Sequence, residues 1–180
     1  YKQLGWKIIP LRGKRPYWEN WKIPRPNCWE LTEAEIREGK GNNIGILTGK
    51  PSGIICIDFD DISFLNPPNP SSNILFSATG SGRAHIIFRS TNPVILNFSR
   101  KVLKDDKVVL EILGTGRQFV APPSIHPRTG KGYLWILPPP KNPEEIFTVN
   151  DFKEFRSLLA KLITDREVLA EIFIGITREE

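Results

Sequence analysis

The segment GIICIDFDD, residues 53–61, sets three carboxylates directly behind an apolar run. Side chains at i and i+2 of a strand share a face, so Asp58 and Asp60 stand side by side while Phe59 points into the opposite layer. Two ionised carboxylates at that spacing repel, and beside an apolar strand they need an offsetting charge. Oxygen-only ligands select a hard cation, Mg2+ or Mn2+. The same letters also suit a strand that ends at solvent, where Asp is a common turn former. Asp61 is out of phase with the pair and reads as a cap or turn for the next segment.

Glu111 lies in VVLEILG, flanked by Val109, Leu110, Ile112 and Leu113. It is either an outward-facing residue on a half-exposed strand or a carboxylate held among core residues. In the second case it completes, with Asp58 and Asp60, a ligand set for two divalent ions that align a hydroxyl and a leaving phosphate oxygen. TGSGRAH, residues 79–85, offers small residues through which backbone amides approach a phosphate, with Ser81, Arg83 and His85 as donors. Read alone, it is equally a glycine turn with an incidental histidine. Ser124 and His126, in APPSIHPRTG, stand either to contact phosphate or sugar or to hold a proline loop. Arg12, Lys14 and Arg15 in PLRGKRP form a basic loop suited to a phosphodiester backbone, and Arg117 follows Glu111 closely. Trp18 and Trp21 serve base stacking or partial core packing.

The elements that position these residues alternate between two periods. LTEAEIREGK, residues 31–40, reads as a helix with Thr32 and Glu35 as a capping box and Gly39 at its end. NIGILTG and GIICIDFD read as two buried strands joined by a tight turn. A proline-rich loop, a strand–turn–strand over NILFSATGSGRAHIIFRS, a charged turn into KVVLEIL and a last short strand at YLWI follow. From residue 148 to 176 the period is helical, with Phe152, Phe155, Leu158, Leu159 and Leu162 on one face and Asn150 or Thr148 as cap. The class is α+β, a single domain over residues 1–180.

Composition bounds the partners. A net charge of +5 and a pI near 9.3 favour polyanions such as nucleic acid. Two cysteines, Cys28 and Cys56, are far apart and belong to no CxxC or Cys/His cluster, which points away from a disulfide framework or a zinc site and toward the cytoplasm. No apolar run approaches the ~20 residues that span a bilayer. The chain has no methionine and opens on Tyr1 inside an apparently structured segment, so a fragment of a longer polypeptide with further domains is expected.

Taken in order, these segments resemble the catalytic domain of the archaeo-eukaryotic primase superfamily, the Prim-Pol group of plasmid and CRISPR-associated replication proteins, over residues 1–138. GWKIIPLRGKRP is similar to that family's opening segment. NIGILTGKPSGIICIDFD, TGSGRAHIIF and LEILGTGRQFVAPPSIHP resemble its three successive motifs. The resemblance implies that Asp58, Asp60 and Glu111 are catalytic and hold two Mg2+ or Mn2+ ions, and that His85 with Ser81 or Arg83 binds the incoming triphosphate. It implies an RRM-like sheet bearing the acids, packed with an N-terminal α/β module, with the active site between them. Some relatives carry a zinc-binding insertion, but SFLNPPNPSSN has neither Cys nor His, and no zinc is expected.

The implied activity is DNA priming and primer extension, with single-stranded DNA template, primer strand and nucleoside triphosphates as partners. In that reading Arg117, Ser124 and His126 add to the nucleotide site, and Arg12, Lys14 and Arg15 to the DNA contact. Two rivals use the same residues. A metal-dependent nuclease would turn the carboxylates on water and have no use for a triphosphate pocket. A non-catalytic single-strand-binding module would be indifferent to loss of Asp58 or Glu111, or bind better without them.

Overall fold

The structure, a computed structural model, describes residues 1–176. Among the described residues, eleven strands and four α-helices follow one another along the chain. The strands are β1 (Ile8–Arg12), β2 (Arg15–Pro16), β3 (Asn43–Leu47), β4 (Ile54–Phe59), β5 (Leu75–Ala78), β6 (Ala84–Ser90), β7 (Arg100–Lys104), β8 (Lys107–Leu113), β9 (Gln118–Ala121), β10 (Leu134–Leu137) and β11 (Thr148–Val149). The helices are α1 (Cys28–Arg37), α2 (Pro93–Leu96), α3 (Phe152–Leu162) and α4 (Arg166–Ile172).

Two sheets form. One has the order β2-β1-β3-β9, all antiparallel. The other runs β10-β5-β6-β4-β8-β7, antiparallel throughout, with β11 added in parallel beside β6. The α+β class expected from the sequence is the observed one.

The alternation of β4 decides the layering. Ile55, Ile57 and Phe59 join a core with Phe155, Leu158, Leu159 and Leu162 of α3 and Val168 and Ile172 of α4. Ile54 and Cys56, on the other face, pack with Ile8, Ile46, Phe119 and Ala121 of the smaller sheet. β4 is therefore apolar on both sides, and the larger sheet lies between helices and a second sheet. Its central place puts the carboxylates at its C-terminal end within reach of neighbours on both flanks.

The observed elements differ from the sequence expectations in three places. α1 starts at Cys28 after Asn27, not at the expected capping box. Thr32 is buried one turn inside it, its hydroxyl donating to the Ile8 carbonyl at 3.4 Å, so tertiary contact outweighs its capping tendency. β3 and β4 are both buried and closely spaced, but they belong to different sheets, linked across the turn by one bridge between Gly49 and Ile54. The C-terminal helical segment is two helices, and Asp151 rather than Asn150 or Thr148 caps the first by accepting from Glu154 N at 2.8 Å.

Candidate functional site

Strand register gathers the chemistry. Directly paired residues in antiparallel strands share a face, and here Ser77, His85, Asp58, Glu111 and Lys101 form one continuous row across β5, β6, β4, β8 and β7. Asp60 follows one residue beyond β4, in phase with Asp58. One carboxylate oxygen each of Asp58, Asp60 and Glu111 falls within 4.8 Å of the others. All three acids are only partly exposed. Asp61 has a separate task, accepting from Ser63 N at 2.9 Å and Ser63 Oγ at 2.7 Å to start a short 3-10 turn.

Each acid faces a basic side chain. His85 Nε2 is 3.5 Å from Asp58 Oδ1, Arg83 pairs with Asp60, and Lys101 Nζ is 2.9 Å from Glu111 Oε1. Burial alone would raise the Asp58 carboxyl, but His85, by charge and hydrogen bond, with Arg83 and Lys14, brings it below the ordinary range. Asp60 is pushed up, first by burial and then by the Asp58 charge, which Arg83 offsets only in part. Asp60 thus carries unfavourable negative charge that a further cation would relieve. The donor set is oxygen-only and crowded, which fits a hard divalent ion.

A hollow of about 150 Å3 beside Asp58 is lined by Lys14, Thr79, Ser81, Arg83, His85 and Tyr133 among others. Burial and the nearby Arg83 lower the Lys14 ammonium, while Asp58 pulls it the other way. Tyr133 is pushed up to about 12 by burial and by Asp58. Its ring stacks between His85 and His126, 6.2 Å from each. The glycine turn is pressed onto the proline loop at this point. A Cβ on Gly80 would overlap the Lys131 carbonyl and His126, and Gly82 has φ +81°. Thr79 Oγ1 accepts from Arg83 N at 2.9 Å, which fixes the turn that carries Arg83.

Not every expected residue arrives there. Lys14 lines the hollow, whereas Arg12 lies over the Tyr17 ring at 5.0 Å and Arg15 is exposed in β2. Arg117 is exposed in the turn before β9, near enough for its charge to act on Lys101. Ser124 is buried, with its hydroxyl accepting from Ile44 N at 2.9 Å, so it ties the proline loop to β3. His126 is 2% exposed, and its Nδ1 accepts from the amides of Arg128 and Thr129, both at 3.3 Å. Burial, then Lys14, Arg128 and Arg83, hold its pKa down. The neutral ring then carries its proton on Nε2, a buried donor without a partner among the described residues. Trp18 lies under Arg25 at 4.8 Å and Trp21 packs on a small core cluster.

Sequence reasoning missed Lys101, Thr79 and Tyr133. Their only signal is strand register and the fold of the proline loop, neither of which is written in local residue patterns.

A family model described as bifunctional DNA primase/polymerase, N-terminal, matches residues 1–146. The chain belongs to the Prim-Pol family. As a Prim-Pol primase/polymerase domain it is a nucleotidyltransferase, and the family implies a DNA template and nucleotides as substrates. The match includes the whole acidic row, the glycine turn and the proline loop. No curated protein matches the chain. Among the described residues of this Prim-Pol domain, no helix is long and apolar enough to cross a membrane.

Proposed function

We propose that this domain is a DNA primase-polymerase that joins nucleoside triphosphates on a single-stranded DNA template, both de novo and from a primer. The observation that carries the reading is the adjacency of a three-carboxylate cluster to a hollow lined by Lys14, Arg83 and His85. Asp58, Asp60 and Glu111 would hold two Mg2+ or Mn2+ ions. Such ions, when bound, would act as Lewis acids toward the charge that develops on the phosphoryl oxygens and would lower the pKa of the attacking hydroxyl. Every remaining task falls to the chain's own side chains.

Lys14, Arg83 and His85 hold the triphosphate, with Ser81 donating a hydroxyl, while His126, stacked on Tyr133, supports that wall of the nucleotide site from within the proline loop. Arg117 serves from the exposed turn, and Ser124 acts by fixing the proline loop. Arg12 and Arg15 flank the site as contacts to the template backbone. The larger sheet is the RRM-like module, and the active site lies on the face that it turns toward the smaller sheet. Positioning and fixed charge are the two contributions required, because phosphoryl transfer asks for little covalent help. Priming needs them most, since two nucleotides must be held with no duplex to contribute binding.

Primer-free synthesis on single-stranded DNA with labelled nucleotides and Mg2+ or Mn2+ tests the reading, comparing the wild type with Asp58→Ala/Asp60→Ala. Short metal-dependent products from the wild type alone are expected. Degradation of the template in place of synthesis would favour the nuclease. Binding with neither reaction, unchanged in the double variant, would favour the binding module.

A further inference from the structure

The alternation that sets Asp58 on the same face of β4 as Ile54 and Cys56 turns Ile55, Ile57 and Phe59 toward α3 and α4. The outer surface of those helices therefore belongs to the side of the molecule away from the carboxylates. It is not closed. A groove of about 530 Å3 runs between the helices, lined by Arg156 and Ala160 of α3, Arg166, Leu169 and Ala170 of α4, and Phe173 and Ile174 just beyond it. All of these residues follow the stretch that the family model matches.

With about 3.6 residues per turn, the burial of Val168 and Ile172 in the core leaves two rows of α4 outside. Arg166, Ala170 and Ile174 form one, Glu167 and Glu171 the next, and all five are exposed. Ile174 is 58% exposed, an apolar side chain offered to solvent beside a groove floored by alanine, leucine and phenylalanine. The small Ala160 and Ala170 let a further helix approach closely. Charges on this surface are also unmatched. Arg156 lies over the Phe173 ring at 4.2 Å, and among the described residues neither it nor Arg166 has a carboxylate partner, nor Glu171 a cation. A surface with an apolar knob, a groove to take it, unmatched cations and an unmatched carboxylate is complementary to itself. An acidic peptide would meet the arginines but be repelled by Glu167 and Glu171. Nucleic acid would meet the same repulsion and gain nothing from Ile174.

We infer that this face joins two copies of the chain, with Ile174 of each entering the groove of the other and Arg166 of each paired with Glu171 of the other. An antiparallel two-fold arrangement sets the start of one α4 beside the end of its counterpart. Arg166 and Glu171 lie roughly 7.5 Å apart along the helix, so a two-fold axis midway between them levels both pairs and brings Leu169 and Ala170 close to the crossing. Two helix pairs meet over a small area, below the ~1,200 Å2 at which standard interfaces begin, so the association is weak and concentration-dependent. Both carboxylate clusters face away from the contact.

Sedimentation of the 180-residue protein at rising concentration tests this. The wild type should pass from monomer to dimer and no further, because a two-fold contact closes. Ile174→Glu should abolish the dimer. R166E and E171R should each weaken self-association at least ~tenfold by setting like charges opposite one another. An equimolar mixture of R166E and E171R should recover the dimer, since opposite charges then meet at both pairings. Each of these two substitutions puts at its end of α4 the charge that suits the helix dipole, so melting temperatures at monomeric concentration should hold and a lost dimer is not a lost fold. A wild type that stays monomeric up to ~1 mM, where even a contact of millimolar Kd is substantially formed, would overturn the inference. So would variants that dimerise like the wild type, or a mixture no more associated than its components. A monomeric protein that loses affinity for single-stranded DNA, or for a helical glutamate–leucine peptide, on R166E would give the groove to that partner instead.

Discussion

Asp58 and Asp60 are two residues apart and titrate in opposite directions. The difference comes from their partners: His85, Arg83 and Lys14 outweigh burial at Asp58, whereas Asp60 faces burial plus the charges of Asp58 and Glu111 with mainly Arg83 to offset them. A carboxyl raised in the folded state works against folding above its ordinary pKa, because ionising it costs more there than in the unfolded chain. Asp60→Asn removes that cost while keeping the shape of the side chain. The variant should therefore melt at or above the wild-type temperature at neutral pH, and yet lose synthesis by at least ~100-fold, the scale of a missing electrostatic contact in a transition state. Thermal unfolding and a synthesis assay on one preparation check both halves. A clear drop in melting temperature would mean that the Arg83 pairing contributes more than the repulsion removes.

At the scale of elements, caps and register place these residues, and they differ in how far the sequence shows them. The Asp58–Asp60 phase, the turn at Gly82 and the helical face of α3 follow from periods of 2 and 3.6 and were legible. The Lys101–Glu111 pair was not. Counting back from the two-residue turn at Asp105–Asp106 sets Glu111 opposite Arg100, but a register shift between Val102 and Leu103 brings Lys101 there instead. The sheet change between β3 and β4 was equally hidden, because strands buried on both faces carry no mark of their sheet. α4 offers a test of a cap that was also missed. Asp165 accepts from Glu167 N at 2.9 Å and Val168 N at 3.0 Å and also holds Lys104, which keeps its carboxyl below the ordinary range. A depressed carboxyl stabilises above its unfolded pKa, and that contribution is lost as pH falls through the folded value. Asp165→Ala should lower the melting temperature at pH 7, with the difference closing below about pH 4, near the Asp reference value. Asp165→Asn keeps a capping oxygen and should lose only the Lys104 pairing. Melting curves of the three proteins from pH 3 to 8 would decide, and equal losses in the two variants would assign the effect to charge rather than to the cap.

Across the whole molecule, the family match and the physical unit end at different places. The match stops at residue 146, while β11, α3 and α4 all follow it. Those later elements complete the acid-bearing sheet from behind. Phe155, Leu158, Leu159, Leu162, Val168 and Ile172 cover Ile55, Ile57 and Phe59, and Val149 pairs beside Ser90 on β6. A chain cut after residue 147 would expose a continuous apolar face on the strand that carries Asp58, and each large side chain so uncovered forfeits about 1.5–3 kcal/mol. Native domains hold only ~5–15 kcal/mol in total, so losing several such side chains exceeds the margin. The truncated protein should therefore show no cooperative unfolding transition and should lose metal-dependent triphosphate binding, even though every family motif is still present. Calorimetry and nucleotide binding on the 1–147 and 1–180 proteins check this directly. A cooperative transition and intact binding in the shorter chain would show that the two sheets hold the carboxylates without the helical layer. In that case α3 and α4 would be an addition to the catalytic unit, and the back of β4 would have to find its cover by rearrangement of the remaining strands.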